Sequence, residues 1–89
     1  MYFRRERNFL KSLCKGQIHE LVEEVGWSPI QCAIVKKKCL EFKSMPVICI
    51  EIGLSESQYT RHLNEICQKL TSYMAHNKNE ELAKIYNSF

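Results

Sequence analysis

Apolar residues along this chain recur at three- and four-residue intervals, and its β-branched residues never form an alternating run, so the pattern predicts helices throughout. The first should span residues 3 to 14, with Phe3, Phe9, Leu10, Leu13 and Cys14 near one side, the arginines on the other, and Lys15-Gly16 ending it. Ile18, Leu21, Val22 and Val25 then stand at the i, i+3, i+4, i+7 spacing with acids between them. They predict a short helix over 17 to 25, stopped by Gly26.

A sharper start follows at Ser28-Pro29-Ile30-Gln31, where Ser28 can cap, Pro29 suits the first turn and Gln31 completes an S-x-x-Q capping box. That helix should reach residue 42, burying Ile30, Ala33, Ile34 and Leu40 on one side and Cys32, Val35, Cys39 and Phe42 on a flanking stripe. Ser44-Met45-Pro46 repeats the cap-plus-proline start. The apolar run 47 to 52 could by periodicity be a buried strand, but the nearby proline and the lack of a partner strand favour a helix. After the turn Gly53-Leu54-Ser55, a second box, Ser55-Glu56-Ser57-Gln58, opens the longest pattern. Tyr59, Leu63, Ile66, Leu70 and Tyr73 hold one face of it to about His76. Asn77-Lys78-Asn79 breaks the pattern, and Leu82, Ala83, Ile85 and Tyr86 predict a last short helix.

The expectation is a single all-α domain over residues 1 to 89, a compact bundle of five to six helices. N-terminal helices would occupy 1 to 26, a helix-turn-helix core 28 to 76 and a short C-terminal helix 80 to 87. No apolar run reaches the length of a signal peptide or a membrane span, which predicts a cytoplasmic protein without membrane contact.

Charge and cysteine content refine this picture. The net charge of +3 is segregated: residues 1 to 15 carry +4 through Arg4, Arg5, Arg7, Lys11 and Lys15 against Glu6, and residues 16 to 35 carry −3 through Glu20, Glu23 and Glu24. Residues 36 to 43 return to +3 through Lys36, Lys37, Lys38 and Lys43 against Glu41. Such patches can meet phosphates or simply form solvated helix faces. Cys14, Cys32, Cys39, Cys49 and Cys67 are odd in number and lack CxxC spacing, so they read as reduced small hydrophobes at helix interfaces rather than zinc ligands. Acids are sparse and surface-patterned, and no nucleophile elbow or glycine-rich phosphate loop occurs. Neither an enzyme, a cofactor nor a bound metal is expected.

The informative stretch is 46 to 63. In a helix-turn-helix a glycine takes the left-handed conformation at the turn, the next residue plugs the hydrophobic gap, and a small residue four positions earlier lets the helices cross closely. Gly53, Leu54 and Cys49 stand at those three places. Over residues 28 to 73 the chain resembles the C-terminal promoter-binding domain of bacterial sigma factors, and similar helix-turn-helix domains of response regulators and phage regulators. Ile48, Cys49, Ile52, Gly53, Leu54 and Ser55 match the pattern usual there, whereas Ile50 stands where those families carry a polar, solvent-facing residue. The resemblance covers only the promoter-binding end of such a factor. It implies double-stranded DNA as ligand, a role in transcription regulation, and RNA polymerase or another regulator as protein partner. The N-terminal helices could form a homodimer, since a helix-turn-helix usually engages two half-sites.

Geometry would then distribute the roles. Ser55, Ser57, Gln58, Thr60, Arg61 and Asn64, on the exposed start and side of the second helix, would reach base edges or flanking phosphates, with Arg61 the first choice for reading a guanine. Lys36, Lys37, Lys38 and Lys43 would position the backbone. The rival is a protein-interaction module that presents Trp27, Phe42 and Tyr59 to a partner protein and binds no DNA.

Overall fold

A computed structural model describes residues 4–76 and 80–88. Among them the backbone forms six helices and no strand: α1 (Arg4–Ser12), α2 (Lys15–Glu24), α3 (Pro29–Cys39), α4 (Met45–Ile52), α5 (Glu56–His76) and α6 (Glu80–Asn87). The all-α expectation therefore stands, including a helix rather than a strand for the apolar run before Gly53. The expectations for Phe3 and for the break at Asn77-Lys78-Asn79 lie outside the described residues. No helix among them is long and apolar enough to cross a membrane.

Both capping boxes form. Gln31 N–H donates to Ser28 Oγ at 3.3 Å while Gln31 Oε1 accepts from Ser28 N–H at 3.2 Å, and the Ser55–Gln58 pair repeats this at 3.2 and 2.9 Å. Pro46 lies in the first turn of α4 as expected, but the Ser44 side chain makes no cap bond.

Two boundaries move. Lys15-Gly16 does not end α1; the chain turns at Leu13-Cys14, Gln17 Oε1 accepts from Cys14 N–H at 2.9 Å, and Gly16 falls inside the first turn of α2. Nor does α3 continue to Phe42. Leu40 and Glu41 N–H both return to Lys36 O (2.9 and 3.2 Å), and Lys43 N–H returns to Lys37 O (3.0 Å), a Schellman-type closure that needs a left-handed residue at Phe42. Phe42 supplies it at φ 55, a conformation glycine usually takes, and its ring is 84% exposed rather than packed in the predicted stripe. Ile30, expected inside, is also exposed, because the α3 turn that carries it begins at the surface.

One hydrophobic cluster draws on all six helices. Phe9 and Leu10 enter from α1, Ile18 and Leu21 from α2, Ile34 and Val35 from α3, Ile48 from α4, Ile66 and Leu70 from α5, and Leu82 from α6. The long α5 is the central element, packed against α1, α3 and α4. Trp27, in the α2–α3 connection, donates from Nε1 to the buried carbonyl of Ile66 at 3.0 Å and so ties the middle of α5 to the N-terminal half.

Two buried polar residues fix the sides of α5. Gln31, 1% exposed, donates from Nε2 to Glu65 Oε2 at 2.6 Å, accepts from Lys69 Nζ at 3.0 Å and lies 3.4 Å from His62 Nδ1. On the opposite side Glu6 of α1, 8% exposed, accepts from Tyr86 OH at 3.0 Å, with Thr71 Oγ1 3.1 Å from the same oxygen. Arg5 lies over the Tyr86 ring, 4.6 Å from its centroid. Glu6 departs from the surface pattern expected of the acids; the Tyr86 hydroxyl gives its buried carboxylate a donor, while the Thr71 hydroxyl also lies 2.9 Å from Cys67 O.

Candidate nucleic-acid interface

The α4–α5 connection is set by backbone geometry. Gly53 is left-handed (φ 81, ψ 39), and both Gly53 N–H and Leu54 N–H return to Cys49 O, at 2.8 and 2.9 Å. Cys49 is buried at the crossing of the two helices, and Leu54 is half-buried against the same core. All three residues thus occupy the places assigned to them from sequence: the left-handed turn, the apolar plug and the small crossing residue.

Helical spacing then sorts the side chains of α5. Tyr59, Ile66 and Leu70 face the core, and His62, Glu65 and Lys69 face Gln31. Ser57 and Arg61 are exposed and share the outward face. Ser55 and Gln58 are exposed too, but each is engaged in the cap: Gln58 Oε1 accepts from Ser55 N–H, so its amide donors are what it chiefly offers to a base edge.

Thr60 and Asn64 flank that outward face on the side of α1. With Arg7, Lys38, Met45, Tyr59 and Leu63 they line an open groove of about 330 Å³ between α1, α3 and α5. Lys38 also lines the adjoining groove, about 340 Å³, with Lys11, Cys39, Phe42 and Lys43. Partial burial, and then the neighbouring charges of Lys11 and Arg7, pull the Lys38 ammonium below its ordinary pKa. Two cations of α1 therefore flank Lys38 of α3, Arg7 in one groove and Lys11 in the other.

The lysines of α3 and its end are not equivalent. Glu51 of α4 pairs with Lys37 Nζ at 3.0 Å and with Lys43 Nζ at 2.7 Å, and Lys43 also pairs with Glu41 at 3.0 Å. The Lys43 ammonium is held above its usual pKa by hydrogen bonds to Glu51 and then Glu41, and the Glu51 carboxyl below its own by Lys43 and then Lys37. Lys36 is exposed and Lys38 is in the groove. The four expected phosphate-binding lysines thus divide into two that already have carboxylate partners and two that do not share them.

Sequence reasoning did not connect Arg7 and Lys11 with Lys38, which lie 31 and 27 residues away by their numbers; no local signal marks such a pairing. Trp27 and Tyr59, offered as anchors for a protein partner, are both buried, and only Phe42 of that trio is at the surface. The five cysteines are free thiols, and burial pushes Cys39 and Cys67 up to about 11, so neither is a ready nucleophile. Among the described residues no three His, Cys, Asp or Glu side chains gather as metal ligands. No family model, curated protein or solved structure matches this chain.

Proposed function

We propose that this chain is a DNA-binding protein of the helix-turn-helix kind, acting in transcription regulation, with α5 entering the major groove and Arg61 reading a base. The observation that carries the reading is the left-handed Gly53 turn, which leads into a capped helix whose outward face, Ser57 and Arg61, is exposed. The basic groove beside the same helix supplies charge where backbone phosphates would lie. Lys36 and Lys38 contribute to positioning more than Lys37 and Lys43, whose charges are offset by Glu51 and Glu41.

A titration of duplex DNA over a range of salt concentrations tests this. The logarithm of affinity should fall linearly with the logarithm of salt at a slope of about −0.9 per phosphate neutralised. Retention that does not respond to salt would turn attention to a second reading, docking to a protein partner. The exposed side chains of Val47 and Ile50 on α4 and of Phe42 beside it favour that reading, Ile50 being 82% exposed.

A further inference from the structure

Arg7 and Lys11 lie one helical turn apart on α1, a like-charge spacing that is unfavourable in an isolated helix. In the folded protein they also face Lys38, which partial burial and their two charges together disfavour in its protonated form. No carboxylate stands among the residues that line either groove. Glu6, the acid next to Arg7 in the chain, is turned inward to Thr71 and Tyr86. The groove also holds neutral donors, the Thr60 hydroxyl and the Asn64 amide, and Tyr59, which is 2% exposed and whose hydroxyl has no partner among the described residues. Uncompensated cations with convergent hydroxyl and amide donors are the chemistry of an oxyanion seat. The two grooves share Lys38, and in the second, where Lys43 is already paired with Glu41 and Glu51, Lys11 carries the basic track past a single site, which suits a polyanion better than a lone small anion.

We infer that the two adjoining grooves that share Lys38, one with Arg7, Thr60 and Asn64 and the other with Lys11, seat the phosphate backbone of the duplex whose bases face Arg61. The inference rests on the DNA-binding reading above and assigns α1 a role in it: α1 serves as a backbone clasp on one flank of the recognition helix. Thr60 and Asn64 then meet phosphate rather than base edges, which leaves base readout to Ser57, Arg61 and the amide donors of Gln58.

The test compares two sets of charge removals in the full chain. Arg7→Gln with Lys11→Gln and Lys38→Gln should lower the salt slope of duplex binding by two to three units, at about 0.9 for each phosphate no longer neutralised, and equally for all sequences. Lys37→Gln with Lys43→Gln should change it by less than one unit, because Glu51 already holds both. Far-ultraviolet circular dichroism verifies the fold of each variant, and the single change at exposed Lys11 removes one cation without disturbing the groove lining around Tyr59. A parent that binds DNA steeply while the triple variant keeps its slope would overturn the clasp and leave the DNA reading intact. A parent with no salt-dependent DNA binding would overturn both. Inorganic phosphate that shifts the amide resonances of Thr60 and Asn64, with duplex binding unchanged in the triple variant, would assign the groove to a small anion and overturn the proposal.

Discussion

Gly53 and Gly16 should respond to substitution in opposite directions, and the difference follows from backbone geometry alone. At Gly53 an added Cβ would meet no atom within 4 Å, so packing is not at stake; the cost arises from holding φ at 81. A left-handed residue with a side chain is disfavoured by about 1 to 2 kcal/mol, and a β-branched one lies toward the upper end of the roughly 1 to 3 kcal/mol typical of strained positions. Gly53→Val should therefore cost about 2 kcal/mol, which in a domain of this size lowers the melting temperature by roughly 8 to 16 °C. Gly16 likewise has open space around it, but its backbone is helical. Gly16→Ala should stabilise by about 0.5 to 1 kcal/mol, through a less mobile unfolded chain and better helix propensity. Thermal melts followed by circular dichroism read both. A Gly53→Val protein that melts with the parent, or two glycines that respond with the same sign, would refute the assignment of the turn.

Other consequences are equally open to measurement. Cys67 is buried and its thiol is pushed from 9.0 to about 11, so the stabilisation it gives is complete below pH 9 and is lost as pH rises through 11. At about 1.4 kcal/mol per unit this amounts to roughly 3 kcal/mol. Denaturant titrations should show stability falling between pH 9 and 11 more steeply in the parent than in Cys67→Ala, and parallel curves would contradict the burial argument. Gln31→Ala removes half of a cap and strips a partner from Glu65 and from Lys69, for an expected loss of about 2 to 3 kcal/mol in chemical denaturation. A loss below about 0.5 kcal/mol, the size of an ordinary surface change, would mean that the polar knot contributes little.

Features whose causes lie within a few residues were legible in the sequence. The Ser28–Gln31 and Ser55–Gln58 boxes close over three positions, and the Gly53 turn depends on a conformation only glycine takes readily; each is found as read. The end of α3 escapes sequence reading for a local reason as well: its left-handed closing residue is Phe42, where a glycine would have announced a stop. Gly16 misleads in the converse way, since a glycine in the first turn of a helix looks the same in sequence as one that ends the helix before it. The candidate interface was legible only along α5. The pairing of Glu51 with Lys37 and Lys43, the inward turn of Glu6, and the meeting of Arg7 and Lys11 with Lys38 are set by how α1, α3 and α4 pack, and no periodicity reports them.

The most direct measurement selects a preferred duplex from a random pool with the parent protein and compares its affinity with that for unrelated DNA, for the parent and for Arg61→Ala. Arg61 is exposed on the outward face of α5, so its removal should leave the fold intact. The account predicts that the variant loses about 1 to 3 kcal/mol at the selected site, roughly 5- to 150-fold in affinity, while binding to unrelated DNA stays as in the parent. A pool that yields no preferred sequence, or an Arg61→Ala protein that binds the selected site as tightly as the parent, would contradict it.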